Sequence, residues 1–303
     1  MFINILLSII YYLLTYSEIK LRNESYFLKN NNYTEKELSK FNLTLKLESK
    51  QRTIFIVGDS TAANKDILKE GIERGWGMLF QKYFDKEKII VDNHAENGYS
   101  SLSFIKQGNW KKVLRKIKKG DFVIIQFGHN DEKDDKSVHT DVGSSFDYNL
   151  EKYCNETKNY GGIPILMNSV VRRKFAKENK VEDDDLTNIL YPDNNKKEEK
   201  DILIDTHGDY RLVPKKIAKK LNVYFVDANK ITHDLEQGLG VEGSKKLHMW
   251  FIPGEQENLP NWKKDNSHYS IYGANIVAKL LADAICEKIP ELKKYRKISD
   301  FIN

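Results

Sequence analysis

Residues 53–61 read TIFIVGDST, five apolar or β-branched residues that end at Gly58 and lead into Asp59 and Ser60. A short, continuously apolar run that ends at a glycine favours a buried β-strand followed by a tight turn. Similar runs recur along the chain at residues 89–92, 122–127, 163–168 and 223–226. These runs predict the strands of one sheet.

Segments with helical spacing lie between these runs, at residues 75–84, 110–119, 148–160, 211–221 and 270–288. Strands that are apolar on both faces and alternate with helices indicate a parallel sheet covered on both sides. We therefore expect an α/β fold, a three-layer α/β/α sandwich of the flavodoxin-like type with a central, mostly parallel sheet. The predicted domain spans residues 51–303. An insertion at 176–207 and the stretch 233–264 break the rhythm and are expected to be irregular.

The chain opens with an apolar run, Phe2–Leu14. It is shorter than the roughly 20 residues that a membrane span needs, and its length suits the core of a secretory signal. Residues 1–17 are therefore predicted to be a signal peptide or signal anchor, with a buried helix as the remaining interpretation. Residues 18–50 are polar and predict a linker or an extension of the domain edge.

Secretion of the protein is the expectation that follows from this segment. Asn-x-Ser/Thr sequons, which mark possible glycosylation in a secreted glycoprotein, support it. They begin at Asn23, Asn32, Asn42 and Asn155. Chance is the competing interpretation, because Asn is abundant in this chain.

The charge balance is mixed, with 49 Lys and Arg residues against 44 Asp and Glu residues and a net charge of +5. Pairs and runs of lysine stand among apolar residues at helical spacing, which is typical of solvated helix faces. We therefore expect no nucleic-acid partner, no stable membrane partner, and a monomer. Two cysteines, Cys154 and Cys286, lie on predicted helices, either as a disulfide or as two buried thiols.

Polar residues follow several predicted strands, where the sites of open α/β sheets form. They are Gly58-Asp59-Ser60, then Gly98, then Gly128-His129-Asn130-Asp131, and before the last helix Asp265 and His268. A carboxylate three residues before an imidazole on one turn can accept the Nδ1 proton and leave Nε2 facing a nucleophile. Each piece alone is more often an ordinary cap or turn, but the four occur together and in order.

This block pattern resembles that of the SGNH (GDSL-type) hydrolase superfamily, and within it the rhamnogalacturonan acetylesterase family. The resemblance covers residues 53–286. It is carried by GDSTAA at 58–63, RGWG at 74–77, NHAENGYSSLSF at 93–104, FGHND at 127–131, SVVRRKF at 169–175, GDY at 208–210 and DNSHYSIYGA at 265–274. Tyr99 and Leu102 stand where that family commonly has Arg, and Ser267 where it has Thr, which bears on the substrate rather than the reaction.

The resemblance and the chemistry imply the same roles. Ser60 is the predicted nucleophile, His268 its general base, and Asp265 the carboxylate that orients His268. The backbone N–H groups of Ser60 and Gly98 and the side chain of Asn130 are the predicted oxyanion hole. No metal or organic cofactor is required, and Asp59 is expected to brace the turn.

Candidates for contact with substrate are His129, Tyr99 and Trp250. The late aromatics Trp250, Phe251, Trp262 and Tyr269 are expected to be exposed, where they could stack on sugar rings or pack within their loops. Arg172, Asp209 and Tyr210 are further candidates to support the site.

The resemblance implies an esterase that removes acetyl groups from an acetylated plant-type polysaccharide or oligosaccharide, with pectic rhamnogalacturonan as the first candidate. A lipase or lysophospholipase acting on fatty acyl esters is the main alternative and predicts an apolar cleft. A binding protein on the same scaffold without catalytic activity is a third interpretation.

Overall fold

The computed structural model describes residues 51–177, 201–255 and 263–297. All elements below belong to one compact unit that begins at Arg52. The predicted signal segment 1–17, the predicted linker 18–50, Trp262 and most of the insertion at 176–207 lie outside the described residues. Among the described residues, no helix combines the length and the apolar character needed to cross a membrane.

The strands are, in chain order, β1 (Arg52–Gly58), β2 (Glu73–Arg74), β3 (Ile89–Asn93), β4 (Phe122–Gln126), β5 (Ile163–Met167), β6 (Phe175–Lys177), β7 (Asp201–Leu203), β8 (Tyr224–Val226), β9 (His248–Phe251) and β10 (Lys263–Ser270). The α-helices are α1 (Ile67–Glu70), α2 (Trp76–Phe80), α3 (Ser101–Lys106), α4 (Asn109–Leu114), α5 (Ser145–Asn159), α6 (Val213–Leu221), α7 (Ala228–Lys245), α8 (Ile271–Lys288) and α9 (Pro290–Lys293).

The central sheet has the strand order β3-β1-β4-β5-β8, and every neighbouring pair is parallel. These are the five runs that the sequence predicts as strands. Helices cover both faces, so the expected three-layer α/β/α sandwich is confirmed. Because β1 lies between β3 and β4, the loops that follow these three strands emerge side by side at one edge of the sheet.

Each face of the sheet carries its own core, because successive side chains of a strand point in opposite directions. On β1, Ile54 and Ile56 join the core that includes α2 and α8. Phe55 and Val57 join the opposite core, which includes α5 and α6. The apolar run of β1 therefore has no polar side, as a strand buried on both faces requires.

A second, antiparallel sheet has the order β2-β10-β9. Its middle strand β10 contains an irregularity in register between Asp265 and Tyr269, so the residues between them leave the regular ladder. The strands β6 and β7 pair with each other and bring the two ends of the 176–207 insertion together.

The expectation that residues 233–264 are irregular is wrong for much of that stretch. Helix α7 continues to Lys245, interrupted at Gly240 with φ of 69°, and strand β9 follows it. Gly238, Gly240 and Gly243 weaken the helical pattern, since glycine is a poor helix former. The helix predicted at 110–119 is shorter than expected, because α4 begins at Asn109 and ends at Leu114.

Candidate active site

Ser60 stands on the turn directly after β1, at the edge of the sheet. Asp59 is fully buried, and its Oδ1 accepts hydrogen bonds from the backbone N of Thr61 at 3.0 Å and from Thr61 Oγ1 at 2.7 Å. Its carbonyl oxygen accepts from the backbone N of Ala62 and of Ala63, both at 3.1 Å. Burial raises the pKa of Asp59, and the bonds from Thr61 oppose this shift. Asp59 thus braces the turn that presents Ser60.

A chain of hydrogen bonds connects Ser60 with His268 and Asp265. The Oγ of Ser60 lies 2.9 Å from His268 Nε2, and His268 Nδ1 lies 2.8 Å from Asp265 Oδ2. With the Nδ1 proton directed at the carboxylate, Nε2 is left to accept the proton of the serine hydroxyl. Ser60 and His268 are 208 residues apart in the chain, and the fold brings them into contact.

Asp265 is held in place by its own backbone neighbours. Its Oδ1 accepts from the backbone N of Ser267 at 2.8 Å and of His268 at 3.0 Å. Burial alone would raise the pKa of Asp265, but the hydrogen bond and charge of His268 and these two N–H groups hold it well below its usual range. The carboxylate is therefore ionised at neutral pH.

Gly98 and Asn130 stand on the loops after the two strands that flank β1. Gly98 is exposed with φ of 77°, and a Cβ there would meet no atom within 4 Å. Asn130 is buried, and its Nδ2 donates to the carbonyl oxygen of Tyr99 at 2.9 Å while its Oδ1 accepts from Lys133 Nζ at 2.6 Å. One amide hydrogen of Asn130 is thus engaged with the Gly98 loop, which leaves the other for a ligand.

Asp131 secures the same loop from behind. It is fully buried and accepts from the backbone N of Ser101 at 3.1 Å, from Ser101 Oγ at 2.5 Å and from Thr140 Oγ1 at 2.8 Å. Burial raises its pKa to about 6, in spite of these donors. The sequence places Asp131 in the 127–131 motif without a role, and the structure shows that it anchors the first residue of α3.

The aromatic residues predicted to contact substrate have protein partners. Tyr99 donates from its hydroxyl to Gln107 Oε1 at 2.5 Å. Trp250 donates from Nε1 to Asn266 Oδ1 at 2.8 Å, and its ring lies 4.8 Å from the Arg173 guanidinium and 5.1 Å from Lys245 Nζ. The expectation that Tyr269 is an exposed aromatic is wrong, because it is fully buried against His248.

His129 is buried, and its ring meets that of His207 edge to face at 4.5 Å. Burial lowers the pKa of His129 well below its usual value, so this imidazole is neutral. His207 Nδ1 lies 2.8 Å from Glu132 Oε2, and Arg172 pairs with the other oxygen of Glu132. Glu132 and His207 are not among the predicted site residues, although each directly adjoins a motif quoted above.

An open cavity of about 590 Å³ lies at this cluster. Its polar lining consists of Glu132, Asp141, Thr206, His207, Asp209 and Tyr210. Thr206, His207, Asp209 and Tyr210 thus come to this cavity from one short segment of the chain.

Cys154 and Cys286 are free thiols in the structure, and both are buried. Cys154 belongs to the core on one face of the sheet and Cys286 to the core on the other. The sequence leaves open a disulfide or two buried thiols, and in the structure the two cysteines are buried thiols. In residues 51–177, 201–255 and 263–297, no three His, Cys, Asp or Glu side chains are grouped as metal ligands.

A parallel α/β/α sheet with a Ser-His-Asp hydrogen-bond chain at its edge is an arrangement typical of serine hydrolases. The model of the GDSL-like lipase/acylhydrolase family matches residues 54–281. The chain therefore belongs to this family and is a carboxylic ester hydrolase.

The rhamnogalacturonan acetylesterase RhgT of Bacillus subtilis is 34% identical over 234 residues, which cover 77% of this chain and 89% of that protein. A probable rhamnogalacturonan acetylesterase of the same organism, YesY, is 26% identical over 239 residues, 77% of this chain and 92% of that one. The crystal structure of the Bacillus subtilis protein YxiM superposes with a TM-score of 0.62 at 23% identity. That superposition covers 78% of this chain and 56% of the YxiM chain, and it supports the fold.

Proposed function

We propose that the protein is a serine acetylesterase that removes O-acetyl groups from an acetylated plant-type polysaccharide, with pectic rhamnogalacturonan as the first candidate. The observation that carries the reaction is the chain of contacts from Ser60 Oγ through His268 to Asp265, at 2.9 and 2.8 Å. The acetyl and sugar parts of the proposal are supported by the two relatives named as rhamnogalacturonan acetylesterases.

In the proposed reaction, Ser60 Oγ attacks the carbonyl carbon of the acetyl ester while His268 Nε2 takes its proton. Asp265 stabilises the imidazolium that results. The N–H groups of Ser60 and Gly98 and the Asn130 amide hold the negative oxygen of the tetrahedral intermediate. His268 then gives its proton to the sugar oxygen as the bond from that oxygen to the carbonyl carbon breaks, and the sugar leaves as a free hydroxyl. A water that gives a proton to the same imidazole then attacks the acetyl-Ser60 ester and releases acetate and Ser60.

We place a subsite for sugar units in the open cavity beside His207, whose lining is mostly polar and does not include Ser60 or His268. Carboxylate, hydroxyl and imidazole groups accept and donate hydrogen bonds to sugar hydroxyls, whereas a fatty acyl chain needs an apolar wall. Val142 is an apolar residue in this lining, and Glu132, Asp141 and Asp209 are its acidic residues. His129 contributes by packing against His207, and Asn130 follows it directly in the chain.

The decisive experiment is acetate release from a panel of acetylated polysaccharides, including acetylated rhamnogalacturonan and xylan. Ser60→Ala and His268→Ala should lose nearly all activity, and the exposed Ser137→Ala should keep it. Asp265→Asn should lower kcat by about 10³–10⁴, because the wrong tautomer of His268 then faces Ser60. Full activity of Ser60→Ala would contradict the proposal.

Chain-length preference separates the two candidate substrates. The proposed acetylesterase should cleave p-nitrophenyl acetate much faster than p-nitrophenyl octanoate. A strong preference for octanoate would favour the lipase or lysophospholipase instead, with the same catalytic residues.

We also propose that the protein is secreted, because an acetylated polysaccharide is met outside the cell. We further propose that it is a monomer. The apolar run Phe2–Leu14 and the sequons support secretion, and Asn155 is exposed on α5. Mass spectrometry of the protein recovered from the medium would test secretion and cleavage of the signal. Light scattering would test whether the protein is a monomer in solution. A secreted chain that still begins at Met1 would contradict cleavage of the signal.

A further inference from the structure

A buried lysine lies five residues after Ser60, in the segment that leaves the nucleophile turn. The side chain of Lys65 is 1% exposed. Its Nζ lies 2.8 Å from Glu73 Oε1 and donates a hydrogen bond to Asn97 Oδ1 at 2.6 Å. Lysine is rarely buried unless it is paired, so these two contacts account for its position.

Glu73 connects this lysine with the strand that carries His268. It lies on β2, where it pairs with Ser270 of β10, two residues beyond His268. Its second oxygen, Oε2, lies 3.0 Å from Lys263 Nζ, also on β10. Burial would raise the pKa of Glu73, but the hydrogen bond and charge of Lys65 bring it below its usual value. Glu73 is therefore ionised at neutral pH.

Asn97 connects the same lysine with the Gly98 loop. Gly98 is exposed, adopts φ of 77°, and has no neighbouring atom within 4 Å of the place that a Cβ would take. It therefore has little packing of its own to set the direction of its N–H. Side chains hold the residues on either side of it, with Lys65 bonded to Asn97 and Asn130 bonded to the carbonyl oxygen of Tyr99.

We propose that Lys65 is a positioning residue that, through Asn97, aims the N–H of Gly98 at the oxyanion and, through Glu73, keeps this loop in register with the strand of His268. The inference rests on the proposed function, because it assigns Lys65 a role in that same reaction. The contacts carry it, since one ammonium group joins the nucleophile segment, the Gly98 loop and the β2–β10 pair.

The competing explanation is that Lys65 and Glu73 only stabilise the fold. The positioning role and the purely structural role predict different results, because a buried ion pair can often be replaced by apolar residues of similar size without loss of stability. A positioning role requires the hydrogen bond to Asn97, which an apolar side chain lacks. Stability and kcat should therefore separate when the pair is replaced.

The first test changes Asn97, which is exposed. Its substitution leaves the ion pair between Lys65 and Glu73 intact. Asn97→Ala should lower kcat on p-nitrophenyl acetate by at least about tenfold and by up to ~10², since a displacement near 1 Å can have that effect. KM and Tm should hardly change. Asn97→Asp keeps an oxygen for Lys65 and should restore most of kcat. Asn109→Ala is the control, because it removes the same kind of Lys–Asn hydrogen bond, that of Lys112, from α4. It should leave kcat, KM and Tm unchanged.

The second test compares Lys65→Met with the double variant Lys65→Met/Glu73→Met. The single variant should have a lower Tm and a lower kcat than the wild type, because Glu73 loses its buried partner Lys65. The double variant should regain Tm, yet kcat should remain at least about tenfold low. Titration of reactive Ser60 with a fluorophosphonate would express each kcat per active site.

The outcomes distinguish the inference from the proposed function. A wild-type protein without Ser60-dependent ester hydrolysis would overturn both. An active wild type with full kcat in Asn97→Ala would overturn the role of Lys65 alone. Recovery of kcat together with Tm in the double variant would do the same, since it would show that the pair acts only on stability.

Discussion

Gly98 combines a backbone conformation that favours glycine with a space that would admit a side chain. Its φ is 77°, and no atom lies within 4 Å of where a Cβ would stand. Close packing against the protein is therefore not the reason for glycine at this position. The conformation is the reason, since residues with a Cβ are strained in this region.

Gly98→Ala should lower the free energy of unfolding by about 1–2 kcal/mol, the usual strain of a left-handed residue. It should also lower kcat by roughly 10², because relief of this strain would turn the N–H of residue 98, a proposed oxyanion donor, away from its productive direction. Gly108→Ala is the matched control, with the same φ of 77° and equally open surroundings. Urea unfolding and kcat on p-nitrophenyl acetate would check both. Equal kcat in the two variants would contradict the role of Gly98.

At the scale of the elements, the start of α8 decides where β10 ends. Ser270 donates its backbone N–H to the carbonyl oxygen of Leu247 at 2.9 Å, and its Oγ accepts from the backbone N of Gly273 at 3.1 Å. A Cβ on Gly273 would lie 1.9 Å from the carbonyl oxygen of Leu247. The first turn of α8 thus rests directly on the backbone before β9, just beyond His268.

Gly273→Ala should therefore destabilise the protein by about 1–3 kcal/mol or more, because the new methyl group collides with backbone. Its kcat should fall as well, since the displaced helix carries the end of β10. Gly238→Ala places the same residue in α7, where no atom lies within 4 Å. That variant should gain about 0.5–1 kcal/mol. Thermal unfolding would compare them, and a neutral Gly273→Ala would refute this packing.

At the scale of the whole molecule, the central sheet separates two cores, and β1, β4, β5 and β8 contribute side chains to both. Cys286 lies in the core with α2 and α8, and Cys154 in the core with α5 and α6. Burial raises the pKa of Cys154 to about 12 and that of Cys286 to about 11. Both thiols are therefore protonated at neutral pH and poor nucleophiles.

Iodoacetamide at pH 8 should leave both cysteines unmodified in the native protein and label both in urea, with one common midpoint. Because the folded pKa values are raised, the folded state holds these protons longer, and stability should fall as pH rises above about 9. Mass spectrometry of the single Cys→Ser variants would assign each site. Two clearly separate midpoints would show that the cores unfold independently.

Local pattern is sufficient to predict some elements and insufficient for others. The five apolar runs predict every strand of the central sheet, and the long apolar helix α8 is predicted to within a residue. Helix α7 is not predicted, because three glycines and polar residues obscure its periodicity. Tyr269 is expected at the surface but is buried, because the pairing of β10 with β9 and β2 is invisible in the sequence around it.

The sequence by itself determined the parallel α/β fold and the residue types of the candidate site, because strand and helix periodicity and the Asp265–His268 spacing are local properties. Tertiary structure alone decided which side chains meet. Ser60 and His268 are 208 residues apart, Lys65 reaches Glu73 and Asn97, and His129 packs on His207. These contacts depend on how separate elements pack, and no local pattern encodes the distance between them.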